Sequence, residues 1–268
     1  MKRKLGVNVE CLRGIHYSEA LPLIKKAGFD CYFSNISRNG SEALRDMKRI
    51  GDELGLSLEF IHAPFGGINN MWLAGLDYLK IYNGMKESID IAAELDIPYV
   101  IMHVSSGWEC PEITEIGLAR FDSLVEYAIE KGVVLAFENL RRVGILASFV
   151  DRYRKIDNVR FCYDSGHEHC YTKHIRWMDI FQNKMIATHI HDNTSRPDYD
   201  ESFDPDYHFL PFDGTMDYER MMRDFDKYGF EGALVLEVNN VVKPEYKEMT
   251  HEEFLATCYA RIKKISEM

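Results

Sequence analysis

Eight short apolar runs, each followed by a longer amphipathic stretch, set the tightest limit on how this chain can fold. The runs are LGVNV at 5–9, FDCYF at 29–33, LSLEFI at 56–61, YVIMHV at 99–104, VVLAFE at 133–138, VRFCY at 159–163, MIATHI at 185–190 and ALVLEV at 233–238. Several are almost continuously apolar, as in parallel strands covered on both faces. Helical patterns fill the gaps at 18–28, 41–55, 76–96, 113–132, 147–156 and 215–229. Ser41 and Thr215 stand as caps at two helix starts, and Gly28, Gly55, Gly132 and Gly229 stand at helix ends. Repeated strand–helix units predict an α/β protein, a closed (β/α)8 TIM barrel. A doubly wound sheet is the alternative. The 268 residues suit one barrel, which takes roughly 250, and no linker or repeat marks a second domain. Residues 1–268 therefore read as a single domain. The stretch 192–214 is the longest irregular one, and its length suits a functional loop.

In such a barrel the active site lies where the strands end. Here those ends are polar. The third run is followed by His62, and the fourth reaches His103. The fifth ends at Glu138-Asn139. The sixth is followed by Asp164, with His167 three residues on. The seventh reaches His189 and continues into His191-Asp192. The long loop carries Asp206 and His208, and the eighth run holds Glu237. Any one of these could be a satisfied core polar group. Gathered at one rim, so many ionisable groups are costly unless something pairs them. A divalent cation does so, and mixed nitrogen and oxygen donors suit zinc, manganese, iron or cobalt better than calcium. His191 is read as alternating in direction with His189, which makes it a rim group. His174 and His251 fall in helical patterns and read as surface residues.

The net charge of −11, from 43 acidic and 32 basic residues, disfavours nucleic acid as a partner. Six cysteines without a CxxC pair argue against a disulfide framework or a thiolate zinc site. No apolar stretch approaches membrane-spanning length, and the N-terminus lacks a long apolar core, so the chain reads as cytoplasmic.

With these residues in view, the chain resembles the xylose-isomerase-like barrels: sugar phosphate isomerase/epimerases, ketose 3-epimerases and type IV apurinic endonucleases. The resemblance is carried by HAPF at 62–65, HVSSG at 103–107, FEN at 137–139, DSGH at 164–167, HIHD at 189–192, DYHFLPFDG at 206–214 and LEV at 236–238. In the isomerase and epimerase branch it implies one metal ion held by Glu138, Asp164, His189 and Glu237. Zinc or manganese is the metal implied. In the endonuclease branch it implies up to three zinc ions, with His62, His103, His167, Asp206 and His208 as additional ligands.

The resemblance implies a metal-dependent isomerase or epimerase of a sugar, sugar phosphate or related hydroxy-carbonyl compound. Glu138 and Glu237 would serve as base and acid on opposite faces of a cis-enediolate. His167 would bond a substrate oxygen, and Phe65, Trp108, Asn139, His191 and Arg196 would line the pocket. The ketose epimerases place an arginine three residues after the acid of the seventh strand; here that position is Ser195 and the arginine is Arg196. The partner expected is a small sugar-like molecule, with a homo-oligomer left open. Two alternatives stand beside this: a zinc-dependent phosphodiesterase in which Glu138 bridges two ions, and a metal-bound protein without turnover. The loop 192–205, with four aspartates, one glutamate and one arginine, is awkward against DNA.

Overall fold

The computed structural model describes residues 3–198, 200 and 202–268. Eight parallel strands alternate with helices: β1 (Leu5–Asn8), α1 (Tyr17–Ala27), β2 (Cys31–Asn35), α2 (Ile36–Leu54), β3 (Ser57–His62), α3 (Leu79–Glu94), β4 (Tyr99–Met102), α4 (Glu115–Lys131) and β5 (Val134–Glu138). There follow α5 (Val143–Arg152), β6 (Val159–Asp164), α6 (Ser165–Tyr171), α7 (Trp177–Phe181), β7 (Met185–His189), α8 (Tyr218–Lys227), β8 (Leu234–Leu236), α9 (Pro244–Lys247) and α10 (His251–Ser266). The strands run in sequence order from β1 to β7, and β1 also pairs with β8. The result is a nearly closed (β/α)8 barrel. Among the described residues no helix is long and apolar enough to cross a membrane.

Each predicted run became a strand, because a segment buried on both faces leaves the same mark in sequence wherever it sits. Inside the barrel lie Cys31, Phe33, Phe60, Ile101, Ala136, Cys162, Ala187, Ala233 and Val235, all buried. A larger apolar layer fills the space between strands and helices. Gly6 belongs to the inner wall: a Cβ there would come within 2.7 Å of Cys31 Sγ. All six cysteines are buried and free.

The join between β7 and β8 is built differently from the others. Ile190 pairs with Leu236 as an isolated bridge just beyond β7. One step below it, the Thr188 hydroxyl replaces a main-chain rung: it donates to the Ala233 carbonyl (3.1 Å) and accepts from Val235 N–H (2.9 Å).

Several helix boundaries differ from the sequence reading. Helical structure starts at Ile36 under an Asn35 cap, not at Ser41, with a break at Gly40, whose φ of 76° suits glycine. Asp217 caps α8 in place of Thr215, which hydrogen-bonds to the Asn193 carbonyl and His169. His174 lies in a turn after α6, paired with Asp198, not in a helix. The helices α6, α7 and α9 are short, and nothing in their apolar spacing announces them.

Candidate metal centre

The strand period of two explains how the site is assembled. In six strands the last inward-facing core residue is followed two positions later by a charged or imidazole side chain: Phe60 by His62, Ile101 by His103, Ala136 by Glu138, Cys162 by Asp164, Ala187 by His189, Val235 by Glu237. The apolar floor thus gives way to a polar ceiling at one end of the barrel. The same parity corrects the expectation for His191. Positions 189 and 191 are two apart and share a face, so both enter the cluster; His191 Nε2 lies 3.1 Å from the Asp164 carboxylate.

Glu138 is the hub. Its Oε2 lies 3.3 Å from His62 Nε2 and 3.1 Å from His103 Nε2. Its Oε1 lies 3.2 Å from His167 Nδ1 and 3.3 Å from His189 Nδ1. His189 Nδ1 is also 3.5 Å from Glu237 and 3.9 Å from Asp164. A further group surrounds Asp206, with His167 Nε2 at 3.3 Å, His208 Nε2 at 3.7 Å and His191 Nε2 at 3.8 Å. Ligand atoms of Glu138, Asp164, His189 and Glu237 lie within 4.8 Å of one another, as do those of His62, His103 and Glu138.

The imidazoles are oriented by main chain. A carbonyl can only accept, so Nδ1–H donates from His62 to Ala63 O (2.7 Å), from His167 to Asn139 O (2.9 Å) and from His208 to Glu237 O (2.9 Å). That leaves each Nε2 as a lone pair facing a carboxylate, an arrangement that repels unless a cation lies between. Beyond the adjacent Cys162 thiol, neither ring nitrogen of His189 has a hydrogen-bond partner among the described residues, although the ring is fully buried. These donors fit a divalent cation. Protons alone would leave strained titrations. Burial pushes the Glu138 carboxyl up, but His189 and His103 outweigh it and hold it well below the usual range. Burial opposes charge on His167 and His208, yet the nearby carboxylates, Asp164 and Asp206 for the first and chiefly Asp206 for the second, push His167 well above the usual range and His208 up to about 10. For His103 burial wins over Glu138, and its pKa falls.

Asp164 and Asn139 lock the ligand strands. Asn139 donates from Nδ2 to Asp164 O (2.9 Å) and accepts from Asp164 N–H (2.7 Å), joining the ends of β5 and β6. Asp164 Oδ1 accepts from His167 N–H at 2.6 Å and so caps α6. Gly166 must lack a side chain, because a Cβ there would sit 1.9 Å from His191 Cε1. Asp192 is buried and accepts from Asn193, Phe212 and Met216 N–H, folding the long loop rather than meeting the cluster.

A cavity of about 330 Å³ opens beside Glu237 and His208, walled by Phe33 and Phe65. Phe65 stacks on His103 at 4.4 Å between ring centroids. Of the other residues expected in the pocket, Asn139 and His191 are buried and hold the ligand strands. Trp108 and Arg196 do not line this cavity. The Arg196 guanidinium lies 4.3 Å over the Trp108 ring, and its nitrogens donate to the carbonyls of Cys170 and Asp200. The acidic loop is partly neutralised within the fold: Asp204 pairs with Arg141, and Asp198 with Lys173. Sequence reasoning missed a further part of the cavity lining, which includes Asn8, Glu10, Arg13, Asn35 and Arg38. The signal was present. Asn8 ends β1, Glu10 follows two residues on, and Asn35 ends β2, under the same strand-end rule that picked out the other ligands.

A family model described as xylose isomerase-like TIM barrel matches residues 21–257. An uncharacterized protein, y4fM, of Sinorhizobium fredii (strain NBRC 101917 / NGR234) is 29% identical over 248 residues, covering 78% of this chain and 76% of that protein. Among solved structures, the IolI protein with a binding zinc atom superposes with a TM-score of 0.77 at 19% identity over 98% of both chains. D-psicose 3-epimerase with D-tagatose, from Clostridium cellulolyticum H10, superposes at 0.76 with 14% identity, again over 98% of each. At these identities the structural likeness speaks for the fold.

Proposed function

Since the chain belongs to the xylose isomerase-like TIM-barrel family, we propose that it is a metal-dependent isomerase or epimerase of a small hydroxy-carbonyl compound of the sugar class. The observation that carries this reading is the convergence of Glu138, Asp164, Glu237 and His189, whose buried imidazole has no partner among the described residues beyond the adjacent Cys162 thiol. A divalent ion, zinc or manganese, bound there supplies a Lewis acid that polarises a carbonyl and eases loss of the neighbouring proton. The protein's share is proton handling and orientation. Glu237, 25% exposed, lines the cavity and is the carboxylate open to a bound molecule, so removal of the carbon-bound proton is assigned to its carboxylate. Glu138 is the second carboxylate of the pair. Being only 1% exposed, it meets only those substrate atoms that enter the ligand cluster itself. Phe33 and Phe65 supply aromatic surface to the cavity.

A second reading, phosphoester hydrolysis with up to three zinc ions, draws support from one feature. Glu138 offers its two oxygens to different histidine groups, and Asp206 stands between His167 and His208. The net charge of −11 weighs against a duplex carrying a charge every ~1.7 Å. The test runs metal-loaded protein in deuterated water with ketoses and aldoses, and separately on DNA with abasic sites. Deuterium entering beside the carbonyl, lost in Glu237→Gln, is the expected result. Strand nicking with three zinc ions per chain and no exchange would replace it with the second reading.

A further inference from the structure

The cavity beside Glu237 contains two cations without a bonded counter-charge among the described residues, although the charge of Arg38 partly offsets the upward push of burial on the Glu10 carboxyl. Arg13 and Arg38 both line it. Among the described residues neither guanidinium makes an ion pair or a hydrogen bond, whereas every other arginine side chain does one or the other. Their backbones are nonetheless held. Asn240, buried, accepts from Arg13 N–H at 2.9 Å and donates its own N–H to the Cys11 carbonyl. Glu10 Oε1 accepts from Ser34 Oγ, Asn35 N–H and Asn39 Nδ2 at 2.8, 3.0 and 2.6 Å, fixing the segment that carries Arg38 against the end of β1.

We propose that the substrate carries an anionic group, phosphate or carboxylate, which Arg13 and Arg38 bind while the reacting carbons face Glu237. The inference rests on the function proposed above for its choice of substrate site. The charge balance motivates it. A ligand entering this mouth meets Glu237 and Glu10, and an anion is repelled by both unless cations answer them. Guanidinium groups present forked donors that match the oxygens of a phosphate or carboxylate. A neutral sugar needs no such pair, and the polar side chains of Asn8, Asn35 and Asn239 already suit its hydroxyls. At about 330 Å³ the cavity lies in the range of small-molecule sites. D-tagatose and D-fructose, named with the solved epimerases, are uncharged, so this assignment separates the chain from them.

The test uses three sugars that differ only at one end: D-fructose, D-fructose 6-phosphate and D-fructuronate. Their binding to the protein as purified is measured by calorimetry. At least one anionic sugar is expected to bind ~10-fold or more tighter than fructose, the usual worth of a hydrogen bond to a charged group. Arg13→Gln and Arg38→Gln are each expected to remove about that factor for the anionic sugar and to change fructose binding far less. The two anionic arms separate phosphate from carboxylate recognition. Equal binding of all three sugars, no binding of either anionic one, or a preference that survives in a folded Arg13→Gln/Arg38→Gln variant overturns the proposal. Solvent-deuterium exchange is read on the same samples. An arginine-dependent preference without exchange sinks the isomerase reading alone, and exchange into fructose without a charge preference sinks this one alone.

Discussion

Asp164 holds two jobs in one side chain. It caps α6 through His167 N–H and faces His191 and His189 with its charge. Asparagine caps about as well as aspartate but carries no charge. Asp164→Asn is therefore expected to keep the melting temperature of chelator-treated protein while lowering metal content by elemental analysis. Asp164→Ala should lose both, with a further ~1 kcal/mol from the missing cap. A metal content equal to wild type in Asp164→Asn would remove this residue from the ligand set. Gly166→Ala probes the neighbouring contact. The added methyl must displace His191, and overpacking of this kind costs about 1–3 kcal/mol. The strand-end carboxylates and imidazoles were legible in sequence because each stands two residues beyond a core position. The packing of His191 against Gly166 was not, since it depends on how α6 turns back over β7.

At the level of elements, the join of β7 and β8 is the place to probe. Thr188→Val keeps shape but leaves the Val235 N–H and the Ala233 carbonyl without their partner inside the protein. A loss of about 1–3 kcal/mol in urea unfolding is expected, and a value near zero would mean that the hydroxyl is no part of the ladder. The outer helices are less sensitive. Thr250 and Glu253 form a capping box at the start of α10, and Thr250→Ala should cost ~1 kcal/mol. The strands were readable because burial on both faces marks them without help from their neighbours. Short helices were not, because α6 is only seven residues long and is started by the strand-end Asp164, not by an apolar stripe. The helix α10 was read only through His251, although it packs on α1, α8, β1 and β8.

Across the whole molecule, an ion bound as proposed would tie stability to the buried carboxylates. A chelator is expected to lower the melting temperature and added zinc or manganese to restore it; at a thousandfold excess over Kd, linkage supplies ~4 kcal/mol. An unchanged melting curve would show that protons satisfy the cluster by themselves. The barrel and its polar rim could be foreseen from sequence, whereas the arginine-lined wall could not, because Arg13 lies in the segment between β1 and α1 and Arg38 in the part of α2 before the break at Gly40, and neither follows the strand-end rule. The β7–β8 join has one more consequence. His189 ends β7, and Glu237 lies just past β8, so an ion shared by the two would fasten the barrel across the rung that Thr188 only imitates. Transient gaping of the cylinder would then be governed by metal occupancy. Amide hydrogen exchange at Ile190, Val235 and Glu237 should slow on metal loading far more than exchange in β3 or β4, so that the ion acts as a hoop on the barrel as well as a reagent in its mouth.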